Sequence, residues 1–325
     1  MNPSSSLRIL VTGATGYVGS RLVPALVADG HTVIAASRTT SRTDDYPWGD
    51  DVETREFDLE DPDLVASAVE GVDAVVYLVH SMDADDFVRL DREHARRVAA
   101  ACEAAGVQHV VYLSGLVPDG ELSDHLRSRK EVEDVLLDAA VPATVLRAAM
   151  VIGAGSTSYE LLRRLSERVP LLTPVPSWMR SRIQPVAIED VVEVVRRALP
   201  VPRNTHYDVG GDEVLTYPEL LALYADVAGL RRRRFPIPFV PESVVGRACA
   251  RISGLDRSEV VSLVSSLKHD MVCREDAVRR DVLAPGFRYT SVRESLERSR
   301  AGSGEGPEGT ASTGDVQSSA ATDPA

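Results

Sequence analysis

Three polar residues, His125, Ser128 and Arg129, share one face of the segment "SDHLRSRKEVEDVLLDA" (residues 123–139) with Val132, Val135, Leu136 and Ala139. The apolar members follow the i, i+3, i+4, i+7 spacing of an amphipathic helix. The polar three therefore continue an apolar stripe toward the helix start. A histidine titrates near neutrality and could act as the general acid that protonates an alkoxide. An arginine can hydrogen-bond sugar hydroxyls but holds its proton too tightly to transfer it. Ser114 ends the preceding apolar run "VQHVVYLSG" and could orient a substrate oxygen. The same residues also admit a structural reading, in which His125 caps or solvates the helix start and Arg129 pairs with an acid such as Glu133.

A second group of residues is spaced for binding rather than chemistry. "VTGATGYVGSRLV" sets Gly13, Gly16 and Gly19 between an apolar strand and a helical pattern. Glycines there permit a tight turn, close backbone approach to a pyrophosphate and close helix–strand packing, and the helix start adds amide donors. Thr12, Gly13, Ala14, Thr15, Gly16, Tyr17, Val18 and Gly19 form the candidate loop. A purely structural turn is the alternative. The end of the second strand, "AASRTTSR", presents Ser37 and Arg38 with no acid until Asp44. NAD sites usually carry an acid at that point for the ribose hydroxyls, whereas Arg38 could bind a 2'-phosphate. NADP is therefore favoured over NAD, with a solvated loop arginine as the other reading. Asp58 and Leu59 follow the third strand and could border an adenine, although Asp58 or Asp61 could equally cap a helix.

The elements that must position these residues alternate. Apolar strand-length runs ("LRILVTG", "HTVIAASR", "VDAVVYLVHS", "VQHVVYLSG", "VPATVLRAAMVIG") are separated by helical patterns, the first closed by Gly30. Near-continuous apolar strands between helices predict an α/β fold, a doubly wound parallel sheet covered on both faces. In such a fold the helices run antiparallel to the strands. The start of the 123–139 helix then lies at the carboxyl edge of the sheet, where ligands bind. Beyond Gly153 the pattern loosens. "VPLLTPVPSWM" reads as irregular, with Trp178 in a loop over the substrate or in plain packing, and Asp190 reads as a helix cap. The expected division is a dinucleotide-binding domain over 1–200, a smaller substrate portion over 201–300 with an insertion at 154–185, and a disordered tail over 301–325.

The chain has 325 residues, 44% of them hydrophobic, which allows a sizeable core. Its net charge of -13, from 36 basic and 49 acidic residues, argues against general nucleic-acid binding. Cys102, Cys249 and Cys273 are scattered, with no metal or redox spacing. No run approaches a membrane-spanning length, so a soluble cytoplasmic protein with a small-molecule substrate is expected. Four arginines, Arg231 to Arg234, precede an amphipathic segment and could meet an acidic substrate or an anionic membrane surface; a solvated turn is the preferred reading. The residues leave the oligomeric state open.

"TGATGYVG", Arg38, "FDLED", "VDAVVYLVHS", "VVYLSG", "VLRAAMVIG" and "IQPVAIEDVV" together resemble the extended and atypical short-chain dehydrogenase/reductase superfamily, in its NmrA-like, epimerase/dehydratase-like branch. The resemblance spans about Leu7 to Leu230 and rests most on the glycine motif. It implies a Rossmann domain in which Thr12 to Gly19 hold the pyrophosphate and Arg38 the 2'-phosphate. Val79, His80 and Ser81 would pass near the nicotinamide ribose, and Ala148 to Ile152 would border the ring. Hydride-transferring members usually keep Tyr-x-x-x-Lys on the helix after the fifth strand. Here His125 takes the Tyr position and Arg129 the Lys position. Two functions from different classes follow. One is an NADP-dependent oxidoreductase acting on a small carbonyl compound, with His125 as proton donor, Ser114 as orienting hydroxyl and Arg129 on the ribose. The other is a non-catalytic NADPH-sensing or assembly protein; a membrane-surface scaffold is a third.

Overall fold

The computed structural model describes residues 6–80, 86–120, 122–169, 172–176, 178–237 and 240–302. Strand and helix alternate through the first half. β1 (Arg8–Thr12) leads into α1 (Gly19–Ala28), then β2 (Thr32–Ser37), β3 (Glu53–Glu56), α2 (Pro62–Ala68) and β4 (Ala74–Tyr77). α3 (Phe87–Ala105), β5 (His109–Gly115), α4 (Asp124–Leu137) and β6 (Ala143–Ala148) follow. Among the described residues the main sheet has seven strands, in the order β11-β6-β5-β4-β1-β2-β3, where β11 is Thr205–Val209. All its pairings are parallel. Strand order reverses beside β1, which pairs with both β2 and β4, and that reversal opens the crevice of a Rossmann-like sheet.

Strand alternation decides which face each residue covers. Ile9, Val11, Val33, Ala35 and Val76 pack with Leu22 and Leu26 of α1 and with Val191 and Val195 of α6 (Ile188–Ala198). Leu10, Ile34, Val75 and Tyr77 pack with Val65 of α2, Ala95 and Val98 of α3, and Val132 and Leu136 of α4. Both faces are thus covered, as the apolar strands require.

The apolar run "VPATVLRAAMVIG" is not one strand. It breaks after Ala148, and β7 (Val151–Ile152) turns away to pair with β10 (Val186–Ala187). α5 (Thr157–Arg168) leaves the sheet there. The proline-rich stretch read as irregular contains β8 (Leu172–Pro176), which pairs in parallel with β13 (Arg233–Ile237). Parallel pairing brings in a partner about sixty residues on, which no local pattern announces. The arginine run is likewise not a turn throughout, since Arg233 and Arg234 open β13 while Arg232 donates to the Ser166 carbonyl (3.0 Å). β9 (Arg182–Ile183) pairs antiparallel with β12 (Leu215–Thr216), which feeds α7 (Tyr217–Val227) through a capping box of Thr216 and Glu219.

α8 (Glu242–Ser253), α9 (Arg257–Ser266), α10 (Ala277–Asp281) and α11 (Val292–Gly302) complete the chain. α11 runs two residues into the segment assigned to the tail; residues 303–325 lie outside the described residues. Asp190 is not a cap. Ala187 holds that position, and the buried Asp190 carboxylate accepts from Thr290 N (2.8 Å) and Thr290 Oγ1 (3.2 Å), tying α6 to the segment before α11. β11, beyond residue 200, is an edge strand of the main sheet, so the sheet draws on both portions of the chain. Among the described residues no helix is long and apolar enough to cross a membrane.

Candidate functional site

The loop after β1 is shaped by the side chains it lacks. Gly13 has φ +67°, a left-handed backbone that disfavours any Cβ. A Cβ on Gly19 would stand 2.2 Å from the Gly13 carbonyl oxygen and 2.7 Å from the Ala14 Cα. Gly16 N donates to Gly13 O (3.0 Å), closing the turn, and Ser20 N donates to Gly16 O (2.9 Å) as the helix begins. The result is a backbone cradle at a helix start, the shape and polarity a pyrophosphate needs. Thr12 ties the loop to the sheet, since its Oγ1 donates to Val76 O (3.3 Å) and accepts from Leu78 N (3.1 Å). On the far side Tyr17 packs beneath the Arg21 guanidinium (4.3 Å), and Arg21 donates to Ala154 O (2.8 Å). The loop is thereby joined to the segment that follows β7.

α4 starts where the sequence says it should, with Ser123 as its N-cap accepting from Leu126 N (3.4 Å). His125 is therefore free of capping duty. Nor does Arg129 pair with Glu133. Glu133 is 1% exposed and accepts from Arg147 Nε of β6 (2.9 Å), and Arg147 also lies 3.9 Å from the buried Asp208 of β11. This ion pair fixes α4 against the sheet. Arg129 instead bonds to His80 Nε2 and more distantly to Leu113 O (3.4 Å). A guanidinium only donates, so His80 Nε2 is the acceptor and its proton sits on Nδ1. Nδ1 faces Asp91 Oδ2 of α3 at 3.8 Å. Asp91 is buried and accepts from Ser128 Oγ (2.6 Å). Ser128, Asp91, His80 and Arg129 thus lie together beneath the start of α4 as two hydrogen-bonded pairs, with His80 Nδ1 beyond hydrogen-bond distance of Asp91.

The electrostatics follow from burial. Desolvation, helped by Arg129, pushes the His80 imidazole down to about 4. Desolvation, Arg129 and His80 push His125 down to about 3. Both rings are neutral near pH 7. Burial also draws Arg129 below its ordinary range, against the pull of Tyr112 and Asp91.

One cavity of about 480 Å³ joins these parts. Gly13, Gly16, Tyr17, Val18 and Gly19 line one side, and His80, Ser114, His125 and Arg129 line another. Of the segment expected at a nicotinamide, Ala148, Ala149, Met150 and Val151 line it, while Ile152 points into the core of α5 and α7. Thr12, Ala14, Thr15 and Val79 are not part of the lining. Ser37, Arg38, Asp58 and Leu59 lie apart from it at the neighbouring strand ends. Arg38 is exposed just past β2, Ser37 Oγ accepts from Thr39 N (3.3 Å), and Asp58 Oδ1 accepts from Glu60 N (2.9 Å). Leu59 is buried in the core of α2 and α3, and Asp61 caps α2. Ser81 lies outside the described residues.

Asp91 escaped the sequence reading. Its signal was present, because Asp91, Ala95, Val98 and Cys102 repeat at helical spacing and all four are buried. An acid on an apolar stripe asks for a partner, and α4 supplies Ser128. Among the described residues no cluster of three or more His, Cys, Asp or Glu is arranged to hold a metal ion.

Comparison with known proteins agrees with this geometry. Residues 13–170 match the NAD(P)H-binding family. The chain is 36% identical over 232 residues to the (4-alkanoyl-5-oxo-2,5-dihydrofuran-3-yl)methyl phosphate reductase of Streptomyces griseus, spanning 68% of this chain and 74% of that protein. It is 29% identical over 238 residues to the ceramide reductase of Caulobacter vibrioides, spanning 71% and 73%. In fold it is similar to the triphenylmethane reductase of Citrobacter sp. (TM-score 0.72, 18% identity, 90% of this chain and 99% of that one). The same holds for a nucleoside-diphosphate-sugar epimerase of Staphylococcus aureus (TM-score 0.72, 18% identity, 90% and 100%). A glycine cradle at the strand-order reversal, the matched segment and these relatives make the chain a member of the NAD(P)-binding, reductase-like branch of the short-chain dehydrogenase/reductase superfamily.

Proposed function

We propose that the chain is an NADP(H)-dependent reductase of a small carbonyl compound. The observation that carries this reading is the single cavity joining the glycine cradle to Ser114, His125 and Arg129. In this reading residues Thr12 to Gly19 hold the pyrophosphate, and Ser37 and Arg38 hold the 2'-phosphate. Asp58 and Leu59 border the adenine, and Val79, His80 and Arg129 border the nicotinamide ribose. Bound there, a reduced nicotinamide supplies a hydride to an electrophilic carbon.

The protein's own residues serve the oxygen. His125 is neutral and keeps one N–H, so it meets the carbonyl oxygen as a hydrogen-bond donor and is the proton source nearest the alkoxide. The buried Ser114 hydroxyl is a second donor that orients the same oxygen. Arg129, held by His80 and indirectly by Asp91, takes the ribose and presents a fixed positive charge beside the reacting oxygen. The second reading, an NADPH-sensing or assembly protein without turnover, is favoured by one observation: burial leaves neither imidazole protonated near pH 7.

One experiment separates the two. NADPH and NADH are titrated by nucleotide fluorescence, and NADPH oxidation is then followed against aldehydes, ketones and quinones. The enzyme reading expects tight NADPH binding and turnover, with His125→Ala lowering kcat by about 10² to 10⁴. It also expects Arg38→Ser to weaken NADPH, but not NADH, by roughly tenfold, as loss of a charge-assisted phosphate contact should. Binding without turnover across the panel favours the sensor, and equal affinity for the two nucleotides removes the preference for NADP.

A further inference from the structure

The cavity has two chemically distinct ends. His80, His125 and Arg129 lie together at the α4 end. The other end is built by α5, α7, α9 and the loops beside them, and there the lining is mostly aliphatic and thioether, with Leu161, Leu165, Met179, Leu221, Leu263 and Met271 interspersed with the hydroxyl side chains of Thr157, Ser158, Tyr217 and Ser266. No lysine, arginine or histidine lines that end among the described residues, and the charged side chain that does is a carboxylate, Glu259. The nearby arginines of α5 are engaged elsewhere. Arg163 and Arg164 pair with Glu160, and Arg168 donates to Ser253 O (2.7 Å).

A substrate carrying a phosphate, a nucleoside diphosphate or a carboxylate would need cations where this end offers a carboxylate, a few hydroxyls and carbon. An unbranched hydrocarbon tail needs what is present. Leucine and methionine give an apolar wall, and methionine's unbranched side chain adapts to a flexible chain. We propose that the substrate is a carbonyl compound with an uncharged alkyl tail, its oxygen toward His125 and Ser114 and its tail between α5, α7 and α9. This deepens the reductase reading and rests on it for the carbonyl; the tail site stands on the lining alone.

The test is a chain-length series on the full-length protein. Binding of 2-hexanone, 2-octanone, 2-decanone and 2-dodecanone is measured by calorimetry with and without NADPH, beside UDP-glucose. Burial of each added methylene should tighten binding, by up to about fourfold at full burial, until the cavity is filled. Leu263→Phe and Leu221→Phe, checked for folding by circular dichroism, should make the series level off at shorter chains. Affinity independent of chain length overturns the inference, as does UDP-glucose binding more tightly than 2-dodecanone. If either variant fails to fold, the wild-type series still decides. NADPH binding with a flat series sinks the tail site and leaves the reductase reading intact; a rising series without NADPH binding does the reverse.

Discussion

Two helix starts face the same crevice, and they are built in opposite ways. The start of α1 is made of backbone. Its determinants are the left-handed Gly13 and the crowded Gly19, and the side chains it brings to the cavity are Tyr17 and Val18, with no acid, histidine, lysine or arginine. The start of α4 is made of side chains, with His125 and Arg129 in the lining and Asp91 and His80 supporting them from α3 and the end of β4. The first can bind by shape and dipole alone. The second depends on partners that must stay buried and correctly charged.

That contrast can be broken at either end. The largest effect is expected at the backbone-built end. Gly19→Val places carbon within 2.2 Å of the Gly13 oxygen, where only main-chain atoms could give way. It should abolish NADPH binding and cost most of the folded protein, read by nucleotide titration and circular dichroism; a folded, NADPH-binding Gly19→Val would show that the loop has another resting shape. Next comes the anchor of α4. Glu133→Ala leaves the Arg147 guanidinium with only the more distant Asp208 carboxylate and should destabilise by up to about 3 kcal/mol in urea unfolding, because a buried charge loses its hydrogen-bonded partner. The double variant Glu133→Leu, Arg147→Met should recover most of that loss, and a failure to recover would mean that the pair does more than anchor the helix.

The smallest effect per step is a pH slope to which the two rings of the side-chain end contribute, beside His94, His109 and His269, which burial also holds below the ordinary imidazole range. Unfolded histidine takes a proton near 6.5, whereas folded His80 and His125 resist until about 4 and about 3. As pH falls below 6.5 the unfolded chain therefore gains protons that the folded chain does not. Stability should rise with pH between about 4 and 6.5, by up to about 1.4 kcal/mol per unit for each ring. His125→Gln should flatten the slope by one ring's share. An unchanged slope would mean that folded His125 takes up its proton at the same pH as in the unfolded chain.

The same contrast explains what could be read from the residues alone. The glycine motif was legible because its physics is local: a turn, a left-handed residue and a helix start lie within seven positions of the chain. The alternation of strands and helices was legible for the same reason, and so was the apolar stripe of α4. The partners of that stripe were not. Glu133 looked like the natural mate of Arg129, but Arg147 of β6 claimed it, and His80 took its place. Which of two neighbouring charges a buried acid faces is set by how α4 rotates on the sheet, and helical spacing alone leaves that angle free. The apolar end of the cavity was the least legible part, since it is assembled from three helices and two loops, and β8 finds its partner in β13 across about sixty residues.

One feature of the sheet reaches beyond the site. β11 caps the edge of β6 and is supplied only after some fifty residues of α5, β8 and α6 have been made. During synthesis β6 must therefore wait, with its outer row of amide and carbonyl groups unpaired, until residue 209 leaves the ribosome. An open, apolar strand edge is a template for pairing with another chain. A truncation at residue 200 would make that waiting state permanent, so a soluble nucleotide-binding fragment of this protein has to extend through Val209.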